Sequence, residues 1–175
     1  PPPPPPFSSR RRHTRSTLQS RGLGDVYKRQ LMTRPVTPQL TADVIIEMPL
    51  LDDRPIILIE RKYEPYGWAI PGGFVEVGET IATAARREAM EETSLDVDLD
   101  ILLGIYSDPE RDPRGHTACA VFIGNASGKP AAADDAKDIA LFDPFEIDVE
   151  LAFDHRQIIE DYCLYRRDGI IKLPK

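Results

Sequence analysis

Cysteine is nearly missing from this chain, with only Cys119 and Cys163 among 175 residues. Two thiols make neither a disulfide framework nor a zinc site. They suit a reducing compartment, so a cytoplasmic protein is expected. Cys119 stands in an apolar run and reads as a small core residue. No stretch approaches the ~20 apolar residues that a membrane helix needs, so no membrane partner is expected. The chain does not open on a charged start followed by an apolar segment, so no secretory signal is expected either. Positive charge is scarce beyond the first 34 residues. Of 22 Lys/Arg and 29 Asp/Glu, eight basic residues and one acidic residue fall in 1–34. That leaves 14 and 28 for residues 35–175, a net charge of −14. So acidic a surface repels a nucleic-acid backbone, and no nucleic-acid partner is expected. An anionic small molecule can still bind where divalent cations stand between the two.

What remains is 41 % hydrophobic and 29 % charged, the balance of a globular domain. Residues 1–34 show no helical or strand period. They begin with six prolines, continue with Arg10, Arg11, Arg12 and Arg15, and read as a disordered tail. The string Ser20-Arg21-Gly22-Leu23-Gly24-Asp25-Val26-Tyr27-Lys28-Arg29-Gln30 resembles the translation of a sequencing-adapter scar. The tail is therefore set aside from the folded domain, which is placed at 35–167 with a short tail at 168–175.

Val44–Ile46 and Ile56–Ile59 are β-branched runs joined by turn residues and read as a hairpin. Trp68-Ala69-Ile70 leads into Pro71-Gly72-Gly73, which reads as a turn. Phe74–Val77 is a short alternating segment. A helix is expected from about Ile81 to Thr93, with Thr80 as its N-cap. Strands follow at Val97–Ile101, His116–Ile123 and Ile139–Phe142, with a long loop expected at 125–137. A second helix is expected from Asp154 to about Arg166. Strands interleaved with two helices predict an α/β fold, a mixed sheet packed between helices.

Ile81, Ala85, Glu88 and Glu92 are spaced four, three and four apart, which is one face of a helix. Glu91 joins the two glutamates within about 100° of arc. Like charges at such spacings repel, and more strongly near a core face. A solvated acidic face would tolerate that repulsion. A hard divalent cation, magnesium or manganese, would remove it, since such ions prefer oxygen ligands. Arg87, one turn before Glu91, can pair with it.

Context bears on the choice. Gly73, Glu79, Arg87-Glu88, Ala89, Met90, Glu91-Glu92 and Leu95 resemble the Nudix box at every specified position but one. Six glycine or charged positions at roughly 6 % usage each agree by chance about once in 10⁷ starts, which disfavours coincidence. The lead-in from Tyr66 to Glu76 also resembles that family. The resemblance covers about residues 40–166. It implies the α-β-α sandwich of the Nudix fold and hydrolysis of a pyrophosphate bond, with Mg²⁺ or Mn²⁺ as cofactor. It implies metal ligation by Glu88, Glu91, Glu92 and the Gly72 carbonyl, and bracing of the helix by Arg87 and Glu79. The base that takes the proton from water would be Glu88 or a later loop carboxylate, here Asp134 or Asp135. The departure is Ser94, where the family has a glycine that often takes a left-handed conformation. Serine in that conformation costs roughly 1 kcal/mol.

The box does not fix what is attached to the pyrophosphate. Tyr106 to His116 resembles the corresponding segment of ADP-ribose pyrophosphatases, as do Asp134–Asp138 and Leu151–His155. The resemblance implies ADP-ribose as substrate. Arg111 and Arg114 could each grip phosphate, or could merely pair with Asp108 and Asp112 in a turn. His116 could bond phosphate or ribose, or serve the structure. Trp68 and Phe74 are the aromatics nearest the box, and Trp68 suits the core as well as base stacking. Two other readings stay open: a hydrolase that removes oxidised nucleoside triphosphates, and an ADP-ribose-sensing regulator that has lost a DNA-binding domain. The partner expected in each enzyme reading is a small-molecule nucleotide. Related hydrolases are commonly dimers, so the resemblance admits a homodimer.

Overall fold

A nine-residue strand whose last seven residues are all buried sets the centre of the molecule. β1 (Gln39–Glu47) turns Ala42, Val44 and Ile46 to one side and Ile45 to the other. Apolar residues on both sides of a strand require cover on both faces of its sheet. The computed structural model, which describes residues 35–132 and 136–173, supplies that cover. The chain divides into units 1–37 and 38–175; of the first, only residues 35–37 are described, and they carry no regular element.

Among the described residues the second unit has seven strands and two helices. After β1 come β2 (Ile56–Arg61), β3 (Trp68–Ala69) and β4 (Gly72–Phe74), then α1 (Ile81–Thr93). β5 (Asp98–Tyr106), β6 (Thr117–Asn125), β7 (Ala136–Phe142) and α2 (His155–Asp168) complete the unit. The main sheet runs β3-β2-β1-β6-β5, with β4 on β1 and β7 on β2. β1 and β6 are parallel from Gln39↔Thr117 to Glu47↔Asn125, and the other pairs are antiparallel. The α1 residues Ala84, Ala85 and Ala89 pack on Ala42, Val44 and Ile46. The α2 residues Ile158, Ile159 and Tyr162 pack on the opposite face with Ile45, Leu58 and Val121. This is an α/β sandwich with a mixed sheet. Cys119 lies in its core, wholly buried. Glu47 is also buried, and Tyr162 Oη donates to its Oε1 at 2.5 Å while Arg54 pairs with Oε2. A buried carboxylate is tolerated when it is matched in this way. Among the described residues no helix is long and apolar enough to cross a membrane.

Two segments differ from the sequence expectation. Gly72–Gly73 is not a turn but part of β4, antiparallel to β1 through Asp43↔Gly72 and Ala42↔Gly73. The reason is steric: a Cβ at Gly72 would lie 2.6 Å from the Ala42 carbonyl oxygen, so only glycine lets the strands close. The long loop after Asn125 ends sooner than expected, because Ala136 and Asp138 already pair with Arg61 and Glu60 of β2.

α1 begins where Thr80 Oγ1 accepts the Thr83 N–H at 3.1 Å, an N-cap as expected. It ends at Ser94, which is left-handed (φ 59°, ψ 25°), with its N–H on the Met90 carbonyl at 2.9 Å. Serine disfavours that backbone, whereas glycine is free to adopt it but loses more entropy on folding. Ser94→Gly is therefore expected to stabilise the protein by several tenths of a kcal/mol up to ~1 kcal/mol, read from urea midpoints at unchanged m-value. A loss of stability would show that the serine side chain outweighs the strain.

Candidate active site

α1 delivers four charged side chains to one end of the sheet, and a single guanidinium organises them. Arg87 Nη2 donates to Glu79 Oε1 at 2.8 Å and to the Phe74 carbonyl at 3.0 Å, while Nε reaches Glu79 Oε2 at 3.3 Å. Its Nη1 donates to Glu88 Oε1 at 2.8 Å and to Glu91 Oε2 at 3.3 Å. Arg87 thus ties α1 to the loop before it and to β4. These bonds hold the Glu79 carboxyl below its ordinary range and the Arg87 guanidinium above its own.

Glu88 and Glu92 lean toward the sheet, and Glu91 stands out in solvent with a side chain 58 % exposed. Gly72 N–H donates to Glu92 Oε2 at 2.8 Å. A Cβ on Gly73 would come to 2.5 Å from Glu88 Oε1, so the glycine pair makes room for one carboxylate and donates to the other. Burial pushes the Glu92 carboxyl up to about 8; the Gly72 N–H opposes this, and the Glu88 and Asp43 charges add to it. Glu88 is raised too, by burial first, against the pull of Arg87. Among the described residues no three His, Cys, Asp or Glu side chains gather closely enough to hold a metal ion. Arg87 occupies Glu88 and Glu91, and Gly72 occupies Glu92. The three glutamates share a helix face, as their spacing predicts, but not a common point.

Beside them lies a cavity of about 290 Å³ whose lining includes Asp43, Gly72, Gly73, Phe74, Glu88 and His155 together with Arg61, Arg111, Asp112, Arg114 and Phe153. The two arginines of the loop after β5 behave differently. Arg111 is buried; its Nε and Nη2 clamp Asp154 at 2.9 and 2.7 Å, and Nη1 donates to Thr117 Oγ1 at 2.9 Å. Arg111, expected to grip phosphate or to pair with Asp108 and Asp112, instead places its fork on Asp154 and ties the loop to the start of α2. Arg114 forks onto Asp112 (3.0 and 2.8 Å) and stands 5.0 Å over the Phe153 ring and 5.8 Å over Phe74. Its side chain is 44 % exposed. Arg61 stacks on Phe153 as well, at 4.8 Å.

Two further candidates lie outside the cavity. His116 is exposed, with Nε2 3.2 Å from the Ser107 carbonyl oxygen. Trp68 packs edge-on against Phe142 at 4.9 Å, on the core side. Asp134 and Asp135 fall outside the described residues. Sequence reasoning missed Asp43, Arg61, Phe153 and His155, which line the cavity. Asp43 sits in an apolar strand, where an acidic residue flanked by apolar ones was the available signal.

A carboxyl raised by burial holds its proton in the folded state and releases it when unfolded. Its stabilising share is full below the ordinary carboxyl range and is lost as pH rises toward about 8. With a chelator present, Glu92→Gln is therefore expected to raise Tm by several degrees at pH 8.5 and hardly at pH 5, since the amide keeps an acceptor for Gly72. Equal shifts at both pH values would contradict the burial of this charge.

The comparisons with known proteins agree with this geometry. The NUDIX domain model matches residues 39–162. An ADP-ribose pyrophosphatase of Methanocaldococcus jannaschii is 46 % identical over 132 residues, 74 % of this chain and 75 % of that protein. The structure of a mutT/nudix family protein from Listeria innocua superposes with a TM-score of 0.64 at 34 % identity, covering 77 % of this chain and 98 % of that one. A bifunctional NMN adenylyltransferase/ADP ribose pyrophosphatase from Francisella tularensis, complexed with AMP and a Mn ion, superposes with a TM-score of 0.61 at 28 % identity, over 82 % of this chain and 46 % of its own. Nudix hydrolases use divalent metal ions. Since the family match takes in β1, the glycine pair, all of the carboxylates on α1 and most of α2, the chain belongs to the Nudix family and is a Nudix hydrolase.

Proposed function

We propose that this chain hydrolyses the pyrophosphate bond of ADP-ribose to AMP and ribose 5-phosphate, with Mg²⁺ as its ion and Mn²⁺ as a substitute. The observation that carries the reading is the cavity itself. Its lining brings the buried Asp43 and the half-buried Glu88 together with the rings of Phe74 and Phe153, over which Arg114 stands. Carboxylates suit an ion bound to pyrophosphate, and rings with a guanidinium suit the flat, polar groups attached to it. The name of the Methanocaldococcus jannaschii relative supports ADP-ribose among such substrates. Two free cysteines, Cys119 buried and Cys163 partly so, suit a reducing cytoplasm.

The chemistry of the residues fits a divalent ion, which would draw Glu91 off Arg87 to gather the three carboxylates. The donors are all oxygen, Glu88 and Glu92 are pushed above their ordinary range by burial, and the Glu88 charge raises Glu92 further. In this reading Glu88, Glu91, Glu92 and the Gly72 carbonyl hold the ion, and Arg87 gives up Glu91 while keeping Glu79. The bound ion would neutralise charge on the pyrophosphate and acidify the attacking water. Glu88 borders the cavity and takes the proton of that water; Asp134 and Asp135 are the alternative acceptors. Arg114 is the remaining cation of the loop with an exposed face, and it contacts the substrate beyond the pyrophosphate.

Product analysis over ADP-ribose, NADH, diadenosine compounds and nucleoside triphosphates, with and without Mg²⁺, tests the substrate. Preference for a triphosphate would replace this reading. Glu88→Gln and Glu92→Gln are each expected to lower turnover on ADP-ribose by about a hundredfold or more at saturating Mg²⁺, the order for loss of a charge stabiliser in the transition state. Near-normal turnover in both would remove the ligand assignment. Arg114→Ala is expected to weaken kcat/KM for ADP-ribose by about 1.5–3 kcal/mol, leaving the Mg²⁺ midpoint unchanged. An equal loss on a nucleoside triphosphate would show that Arg114 does not select the substrate.

A further inference from the structure

His155 begins α2, on the sheet face opposite α1, and is 3 % exposed. Its Nδ1 accepts the Ile70 N–H at 3.0 Å. A ring nitrogen that accepts carries no proton, so in the neutral ring the proton resides on Nε2. That nitrogen stands 3.5 Å from Asp43 Oδ2. Ile70 leads through Pro71 into Gly72 and Gly73, the first of which holds Glu92 while the second packs on Glu88. Asp43 is the β1 partner of Gly72. One imidazole therefore touches β1 and the segment that leads into β4, the two sides of the ladder on which the carboxylates rest.

The two residues before it serve other parts of the cavity. Asp154 clamps Arg111. Phe153 presents its ring to Arg61 and Arg114 from a left-handed backbone at φ 56°, which is costly for a residue with a bulky side chain. Such strain persists where the surroundings over-determine it. Three consecutive side chains thus join α2 to separate parts of one cavity.

We propose that His155 is a positioning residue for the carboxylate site: by accepting the Ile70 amide it holds Gly72 and Gly73 where Glu92 and Glu88 need them to take a divalent ion. The proposal rests on the assignment of those glutamates as ion ligands. His155→Asn keeps an acceptor near the position of Nδ1 and drops the Nε2 donor. His155→Gln keeps a donor near Nε2 and drops the acceptor at Nδ1. The full chain and both variants would be titrated calorimetrically with Mn²⁺ alone, melted in chelator, and assayed for kcat and KM on ADP-ribose. The Gln variant is expected to bind Mn²⁺ about tenfold more weakly or worse, the order for loss of an outer-shell partner, and the Asn variant within about threefold of wild type. In the Gln variant kcat is expected to fall with KM for ADP-ribose within about twofold. Mn²⁺ affinities that are equal in the two variants, whether lowered or unchanged, overturn the proposal, since a merely structural histidine would shift Tm without splitting them. Wild-type protein that takes up no Mn²⁺ overturns the ligand assignment and this proposal together. Wild-type uptake with unaffected variants overturns this proposal alone.

Discussion

Two glutamates on one helix face, withdrawn from water beside each other, set the terms for the rest of the site. Taking a carboxylate out of water disfavours its charge, and a second carboxylate nearby disfavours it further. The fold holds the pair with few groups. Arg87 takes one oxygen of Glu88, the Gly72 amide takes one of Glu92, and Asp43 adds negative charge instead of relieving it. A site left this negative is stabilised by whatever cation it can bind, which is the electrostatic logic of a hydrolase that works on anionic substrates.

The glycine pair is the backbone side of the same constraint. Helix α1 can bring Glu88 and Glu92 to the sheet only where the sheet has no side chains. β4 meets that need: lacking a Cβ, Gly72 closes on β1 and Gly73 leaves room for the Glu88 carboxylate. Arg87 then locks the helix in rotation by reaching both Glu79 and the Phe74 carbonyl. The cap at Thr80 and the left-handed end at Ser94 fix its length. Tight backbone approach, small alanines beneath and one guanidinium above place the carboxylates with little freedom, as a preorganised site requires.

The arginines of the cavity lining are held by different means. Arg111 is spent on Asp154 and Thr117, so its role is to anchor the loop that carries Arg114. Arg114 keeps an exposed edge while it is oriented by Asp112 and by two rings. Two arginines three residues apart therefore divide the work, one buried as a tether and one facing the cavity.

The sequence by itself determined the elements whose logic is local. Helix α1, its Thr80 cap and the shared face of the glutamates follow from spacings of three and four residues, whereas the Arg87–Glu79 brace was implied by the resemblance to the Nudix box. The α/β class follows from alternation and period. Tertiary structure alone decided which side chains meet across the sheet. Ile70 and His155 are 85 residues apart, and Arg111 and Asp154 are 43 apart. Such pairs depend on strand register and on which face a helix covers, and neither leaves a periodic trace in the chain. The Gly72–Gly73 segment shows the same limit: as sequence it has the signature of a turn, and only the nearness of β1 makes it a strand. Arg111 likewise has the chemistry of a phosphate clamp, and only the tertiary structure shows its donors matched by the half-buried Asp154, as a guanidinium in the interior requires.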